Sequence, residues 1–283
     1  MQPFNIKTNT LNIQGLKAGF GNDIVIALHG WLDNCHSFLP MLNNIPAQQT
    51  WYCFDFPGHG LSSWRAKDAH YYFVDYINDV YQVIKALNVN KVHLVGHSMG
   101  AMVAGLFASC FGEHVKTVTF IEGIGCITTP SDDVAKQLKS AVLNQERLTN
   151  KKQRIYKSKT LIYDARAKTT DLDYADITLL MERNIQSTTD GFVLTTDPKL
   201  KNHSGFRFDE MQCIGAIKQL NAPCQLILGN NGYLSVKQNL DKYNSYYKGL
   251  KVLSVSGGHH CHMQDSEQCF EYINTFMNQY GAC

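Results

Sequence analysis

The chain has 283 residues, a length that suits one large domain with an insertion better than two full domains. A hydrophobic fraction of 44% and a charged fraction of 18% are typical of a globular protein that can bury a core. The formal net charge of +2 is too small to indicate a nucleic-acid partner or a strongly acidic one, so we predict neither.

Apolar runs of strand length alternate with helical patterns up to about residue 124. The predicted strands are 23–28 (DIVIAL), 50–56 (TWYCFDF), 92–95 (VHLV) and 115–121 (VKTVTFI), and the predicted helices are 72–87 and 101–111. In the first of these helices the apolar side chains recur every three to four residues, as in an amphipathic helix. Continuous apolar strands that alternate with helices predict a parallel sheet covered on both faces.

The character of the sequence changes after this region. Residues 126–215 are more polar and mostly compatible with helices, which predicts a helical cap inserted into the α/β core. Strands are predicted again at 224–228 (CQLIL) and 251–255 (KVLSV), with helices around 236–247 and 266–277. We therefore predict a core domain of residues 1–125 and 216–283 and a cap of residues 126–215.

Within the predicted cap, residues 147–159 (RLTNKKQRIYKSK) carry six basic side chains and no acidic one. The simplest interpretation is a solvated helix face. Contact with a membrane or with an anionic substrate is the alternative, and the sequence leaves it open.

Nine cysteines are scattered along the chain without a C-x-x-C pair, which does not suggest a disulfide framework. They are Cys35, Cys53, Cys110, Cys126, Cys213, Cys224, Cys261, Cys269 and Cys283. The N-terminal segment lacks the charged and then apolar pattern of a signal peptide, and no apolar stretch approaches the roughly 18 residues that cross a bilayer. The sequence therefore predicts a cytoplasmic protein with free thiols and no membrane span.

A Gly-His-Ser-Met-Gly pentapeptide at 96–100 joins a predicted strand to a predicted helix. A serine in such a G-x-S-x-G turn is typical of a nucleophile. Gly96 and Gly100 place no side chains where the turn brings strand and helix together. Ser98 is expected to have a strained backbone that exposes its hydroxyl. The alternative is a serine that only caps the helix.

A serine hydroxyl needs a base to take its proton, and with this kind of turn the base is a histidine late in the chain. His259 follows a Gly-Gly pair at the end of the last predicted strand, so we predict it as the base. His260 and His262 are interpreted as packing or surface residues and are the fallback candidates. The cluster at 259–262 (HHCH) fits no zinc spacing, so we predict no metal.

The third member of such a catalytic triad, an acid that orients the histidine, is harder to place. Its commonest position is the loop after the strand at 224–228, but that loop (GNNGY) contains no carboxylate. Asp241 lies too deep in the following helix. Glu122 ends an earlier apolar strand, where a lone carboxylate is costly to bury without a partner such as an imidazole. We predict Glu122 as the acid that orients His259, with a surface glutamate as the alternative.

Two backbone N–H groups are expected to bind a substrate oxyanion. That of Met99 lies at the start of a helix, where partial positive charge is available, and that of Trp31 lies in the loop after the strand at 23–28. His29 and Asp33 are interpreted as braces for this loop. The side chains of Trp31, Phe38 and Met99 are predicted to line the substrate pocket, with core packing as the alternative for each.

Several segments resemble the α/β-hydrolase superfamily. They are HGW (29–31), DFPGHGLS (55–62), GHSMG (96–100) and SGGHHCH (256–262), in this order. HGWLDNCHSF (29–38) and ERN followed by DGFVLTTDPKLK (182–201) are similar to the serine hydrolase-like family related to the insect kraken protein. The resemblance covers nearly the whole chain. It implies an α/β-hydrolase fold with a mostly parallel eight-stranded sheet, helices on both faces and an inserted helical cap.

The position of Glu122 also resembles that of the acid in haloalkane dehalogenases. Those enzymes and the epoxide hydrolases have an aspartate in the position of Ser98, within the turn at 96–100 that is called the nucleophile elbow. Ser98 therefore argues against both activities. We predict instead a carboxylesterase for small to medium acyl esters that uses Ser98, His259 and Glu122 without a cofactor. Hydrolysis of a thioester or of a carbon–carbon bond by the same triad stays open. So do a non-catalytic ligand-binding protein and the oligomeric state.

Overall fold

An eight-stranded sheet organises the computed structural model, which describes residues 1–280. The strands are β1 (Gln2–Lys7), β2 (Asn12–Gly19), β3 (Asp23–Leu28), β4 (Gln49–Phe54), β5 (Val92–His97), β6 (Val115–Ile121), β7 (Ile185–Thr188), β8 (Gly191–Leu194), β9 (Cys224–Gly229) and β10 (Lys251–Val255). The strands β7 and β8 form a separate hairpin, and the others are ordered β1-β2-β4-β3-β5-β6-β9-β10. Only β2 runs antiparallel to both of its neighbours within the described sheet; the pairs that exclude it are parallel.

This mostly parallel sheet confirms the predicted fold class. Strands β3, β6 and β10 have the predicted bounds, and β4, β5 and β9 differ from the prediction by a residue or two at their ends. No apolar run in the sequence predicts β1 and β2. The burial along β2 alternates, because an antiparallel strand near the edge of a sheet exposes one face to water.

Helices cover both faces of the sheet, as predicted. They are α1 (Asp75–Leu87), α2 (Met99–Cys110), α3 (Val134–Thr149), α4 (Lys159–Ala167), α5 (Tyr174–Glu182), α6 (Glu210–Gln219), α7 (Leu234–Tyr243), α8 (Cys261–Gln264) and α9 (Ser266–Tyr280). On one face, Val80 of α1 and Val103 of α2 belong to a large apolar cluster. On the other face, Ile273 and Met277 of α9 belong to a second one. Of the helices in residues 1–280, none combines the length and the apolar character that a bilayer crossing requires.

The insertion between β6 and β9 contains α3, α4, α5, the β7–β8 hairpin and α6. Ile162 and Leu180 form a small apolar cluster with Met263, separate from the two clusters of the sheet. In contrast, Ile214 of α6 belongs to the main core, and α6 packs against α2. The division into core and cap stays a prediction, and the packing of α6 favours a cap that ends before this helix.

The structure describes eight of the nine cysteines, each as a free thiol. Cys110 is exposed and the others are buried. The remaining one, Cys283, lies outside the described residues. The cytoplasmic location stays a prediction.

Candidate active site

Ser98, Glu122 and His259 meet at the carboxyl edge of the sheet. Ser98 lies between β5 and α2, Glu122 directly follows β6, and His259 lies in the loop after β10. The Nε2 atom of His259 is 2.9 Å from the Oγ atom of Ser98, and its Nδ1 atom is 3.2 Å from Oε2 of Glu122. An ionised carboxylate only accepts hydrogen bonds, so Nδ1 carries the proton and Nε2 is free to accept from the serine. The structure thus brings the three predicted side chains together.

The backbone of Ser98 is strained, as the sequence predicts. Its φ and ψ angles are 51° and −114°, a combination that is rare for residues other than glycine. Its side chain makes no capping hydrogen bond to α2, which argues against a simple helix cap. A Cβ atom at Gly100 would lie 2.0 Å from the carbonyl oxygen of Leu28, and one at Gly96 would lie 2.4 Å from that of Gly100. Both glycines are therefore required by the turn.

Glu122 is held by the loop that follows β9. Its Oε1 atom accepts a hydrogen bond from the backbone N–H of Gly229 at 2.8 Å, and its Oε2 atom accepts one from that of Tyr233 at 3.3 Å. Because Glu122 is only 1% exposed, these donors and His259 supply the partners that a buried carboxylate needs. A Cβ atom at Gly232 would lie 2.2 Å from Oε1, so glycine leaves room for the carboxylate. The loop without a carboxylate therefore binds the carboxylate of a neighbouring strand.

Two residues that the sequence analysis does not identify also position His259. The ring of Tyr233 stacks on the imidazole, with centroids 3.9 Å apart and planes at 10°. The Nε2–H of His97 donates to the backbone carbonyl of His259 at 2.8 Å. Burial lowers the pKa of His97, and the neighbouring histidine rings lower it further, so its ring is neutral. Both residues could be found from their positions in the sequence, because His97 immediately precedes Ser98 and Tyr233 follows the Gly-Asn-Asn-Gly loop.

The two predicted oxyanion donors lie in different parts of the fold. Met99 is the first residue of α2, so its backbone N–H lacks a partner within the helix. Trp31 lies in a turn closed by the N–H of Asp33 and the carbonyl of Gly30, 3.2 Å apart. Trp31 is 52% exposed, and its Nε1–H donates to the carbonyl of Leu200 in the insertion at 2.9 Å. The oxyanion and substrate-lining roles of Trp31 and Met99 stay proposals.

Phe38 does not lie where the sequence analysis expects it. Its side chain is fully buried in the core cluster that also contains Met41 and Trp51. The ring packs against that of His262, with centroids 5.5 Å apart. The 3₁₀ segment that holds Phe38 (Cys35–Asn44) packs against the sheet and α9, which directs the ring inward. The prediction that Phe38 lines the substrate pocket is therefore wrong, and the core-packing alternative is correct.

Comparison with known proteins adds to this geometry. The sequence model of the alpha/beta hydrolase fold matches residues 23–266. The chain belongs to this family. This alpha/beta hydrolase is 30% identical to a serine hydrolase-like protein of Danio rerio over 266 residues, which cover 89% of the chain and 81% of the relative. It is 27% identical to serine hydrolase-like protein 2 of Homo sapiens over 272 residues, which cover 89% and 86% of the two chains.

A solved structure is similar over the whole length of the chain. It is that of a hypothetical protein from Pseudomonas aeruginosa PAO1, with a TM-score of 0.91, 27% sequence identity and complete coverage of both chains. Together these similarities confirm the predicted resemblance to the α/β-hydrolase superfamily and to serine hydrolase-like proteins.

His29 of this alpha/beta hydrolase braces the loop after β3, as interpreted from the sequence. Its Nδ1 atom lies 2.7 Å from the carbonyl of Gly30, and its Nε2 atom accepts a hydrogen bond from the backbone N–H of Phe56 at 2.9 Å. Burial lowers the pKa of His29, so the ring is neutral and Nδ1 is the donor. The ring therefore joins the loop after β3 to the loop after β4.

A network of charged side chains connects the active-site loops to the insertion. Oδ1 of Asp33 accepts a hydrogen bond from Nη2 of Arg166 at 2.7 Å, and Oδ2 of Asp33 lies 3.3 Å from Nε2 of His260. The Nδ1 atom of His260 lies 2.5 Å from Oδ1 of Asp171. Arg166 belongs to α4 and Asp171 to the loop before α5. Because both ring nitrogens of His260 are engaged, it is a poor substitute for His259 as the base.

The carboxylates keep this network of side chains charged. Burial alone would lower the pKa of His260, but its hydrogen bonds to Asp171 and Asp33 raise the pKa to about 9. Burial also opposes ionisation of Asp33, yet His260 and Arg166 lower the pKa of this carboxyl. The pKa of Asp171 is likewise lowered by His260, in spite of burial. At neutral pH this network therefore carries two positive charges, on Arg166 and His260, and two negative charges, on Asp33 and Asp171.

The raised pKa of His260 predicts how the stability of the fold depends on pH. Protonated His260 should stabilise the fold fully below its usual pKa of 6.5, and this contribution should disappear as the pH rises through about 9. At about 1.4 kcal/mol per pKa unit, the free energy of unfolding should fall by about 3 kcal/mol more in the wild type than in His260→Gln over this interval. Denaturant unfolding at a series of pH values measures the difference.

His203→Gln is the matched control, because His203 is exposed. Its pH profile should follow that of the wild type. Parallel profiles for the wild type and His260→Gln would contradict the assignment of a proton to His260. On the acidic side, Asp33 and Asp171 have lowered pKa values, so their contribution should be present above their usual pKa of 3.8 and be lost as the pH falls further.

Proposed function

We propose that this alpha/beta hydrolase is a serine hydrolase that cleaves carboxylic esters with small to medium acyl groups. The observation that carries the proposal is the unbroken chain of contacts from Ser98 Oγ to His259, at 2.9 Å, and from His259 to Glu122, at 3.2 Å. A hydroxyl in this arrangement can transfer its proton to the imidazole as it attacks a carbonyl carbon. Similarity to serine hydrolase-like proteins supports the same class of reaction.

The proposed reaction has two halves. In the first, Ser98 Oγ attacks the ester carbonyl carbon while Nε2 of His259 takes the hydroxyl proton. The tetrahedral intermediate expels the alcohol, which takes that proton from His259, and an acyl-enzyme remains. In the second half, water attacks the acyl carbon with His259 again as the base, and the carboxylic acid leaves with Ser98 restored.

The surroundings of the triad support this sequence of steps. Glu122 accepts the Nδ1–H of His259 and would stabilise the imidazolium that forms in each half of the reaction. The backbone N–H groups of Met99 and Trp31 are proposed to donate to the oxyanion of the tetrahedral intermediate. Stacking by Tyr233 keeps the imidazole plane fixed, which favours a preorganised site.

A substrate panel tests the proposal. It comprises p-nitrophenyl esters from acetate to laurate, an acyl thioester and a β-diketone, each also incubated with Ser98→Ala to measure the background. We expect turnover of esters well above this background, with the highest kcat/KM at short to medium chain lengths. Faster cleavage of the thioester or the β-diketone would reassign the substrate class. Absence of turnover above background for every compound would reject hydrolysis of these bonds.

A further inference from the structure

A cavity of about 400 Å³ lies between the loop after β3 and the insertion. Leu32, Ile162, Met181 and Leu194 form apolar walls. Leu32 directly follows Trp31, so one end of the cavity borders the loop that is proposed to bind the oxyanion. Within residues 1–280, the three triad side chains do not line it, so the cavity is distinct from the triad. Its volume is typical of a site for a small organic molecule.

Basic side chains contribute to the lining of this cavity. The lining includes Lys151, Lys152 and Arg154 from the segment between α3 and α4, and Lys201 from the segment after β8. All four are exposed. In the described part of the chain, none of the four forms an ion pair with a carboxylate. We call these four residues the basic rim.

The carboxylate that lines the same cavity does not neutralise the basic rim. Asp197 is 1% exposed, and its Oδ2 atom accepts a hydrogen bond from the hydroxyl of Tyr71 at 2.8 Å. Its Oδ1 atom accepts one from the backbone N–H of Lys199 at 2.9 Å, and the ammonium group of Lys199 lies 3.8 Å from Oδ2. Asp197 is thus engaged within the protein, and the positive charge of the rim is available to a ligand.

We propose that the cavity binds an acyl group that ends in an anion, with its apolar chain against the walls and its carboxylate or phosphate at the basic rim. This inference rests on the proposed ester hydrolysis and names the substrate class. An apolar chain gains free energy from burial in the cavity, and an anion at the rim gains charge-assisted hydrogen bonds. The alternative left open for residues 147–159, contact with an anionic substrate, is thereby favoured over a solvated helix face.

Binding of simple amphiphiles tests the site without turnover. Calorimetry should give tighter binding of octanoate or octyl phosphate than of octanol to the wild-type protein. The double variant Lys152→Gln/Arg154→Gln should bind either anion about tenfold more weakly and bind octanol unchanged. The tighter of the two anions identifies the preferred head group. Added salt should weaken anion binding in the wild type more than in the variant.

The matched control is Lys136→Gln/Lys139→Gln, which removes two exposed cations of α3 that do not line the cavity. This control should bind all three compounds as the wild type does. Equal affinity of the wild type for octanoate, octyl phosphate and octanol would overturn the inference. An equal loss of anion binding in the two double variants would also overturn it, because only overall charge would then matter.

Hydrolysis connects the site to the reaction. The kcat/KM for the mono-p-nitrophenyl ester of suberic acid should exceed that for p-nitrophenyl octanoate, and Lys152→Gln/Arg154→Gln should remove this preference through KM. Hydrolysis of both esters without any preference for the anion would reject the inference and leave the proposed function standing. Anion binding without hydrolysis of any ester would reject the proposed function and leave the binding site standing.

Discussion

Replacement of Ser98 by alanine should lower kcat for ester hydrolysis by about 10⁴-fold or more. The substitution removes the only atom that can form the proposed acyl-enzyme at the elbow, while the oxyanion donors remain. Alanine keeps a Cβ atom and no longer donates to His259, so the loss should arise in the chemical step rather than in folding. Steady-state rates with an ester from the panel, together with circular dichroism spectra, measure both effects.

Ser109→Ala is the control for this substitution. Ser109 lies on α2, the helix that follows Ser98, and its hydroxyl donates to the carbonyl of Gly105 at 2.9 Å. Its loss should leave kcat unchanged. If Ser98→Ala retained activity within a few-fold of the wild type, another group would be the nucleophile and the proposed mechanism would fail.

Replacement of Glu122 by glutamine should lower kcat by about 10²- to 10⁴-fold. Every partner of this carboxylate is a donor: the N–H of Gly229, the N–H of Tyr233 and Nδ1 of His259. A glutamine must direct its NH₂ group at one of these donors. When it faces His259, it favours the tautomer with the proton on Nε2, which cannot accept the proton of Ser98.

The rate loss should be larger than any loss of substrate binding, so kcat should change more than KM. Glu113→Gln provides a control, because Glu113 is exposed in the short segment before β6. A Glu122→Gln enzyme with nearly normal kcat would show that a different acid orients His259. The nearby Asp33 and Asp171 are engaged with His260, so such a result would also require that network to rearrange.

The positions of Ser98, Glu122 and His259 can be predicted from the sequence because each follows an apolar strand that is visible locally. In a parallel sheet the strand ends meet at one edge, so three distant residues are brought together by topology alone. The glycines of the elbow are a local signal of the same kind, since they are dictated by close approach of the backbone.

The contacts that hold this triad are less predictable. The N–H donors of the loop after β9, the stacking of Tyr233 and the ion pairs of His260 depend on how loops from distant segments pack. Periodicity carries no information about such contacts. It also does not determine which way a short 3₁₀ segment turns, and for that reason Phe38 is assigned to the pocket although it lies in the core.

The edge strands and helix α6 are also hard to predict from the sequence. Strand β1 and strand β2 lie at the antiparallel edge of the sheet, where alternate side chains contact water and no continuous apolar run marks the strand. Helix α6 continues the polar composition of the insertion, although Cys213, Ile214 and Ile217 are buried in the main core. Composition therefore places it in the cap, and packing places it with the sheet.

The central claim is that His259 activates the hydroxyl of Ser98, and covalent labelling tests this claim most directly. A fluorophosphonate probe reacts with an activated serine and needs no knowledge of the natural substrate. Mass spectrometry of the wild-type protein after incubation should give one adduct per chain, located on the peptide that contains Ser98, and His259→Ala should label far more slowly. No adduct on the wild type, or an adduct at a different residue, would contradict the account.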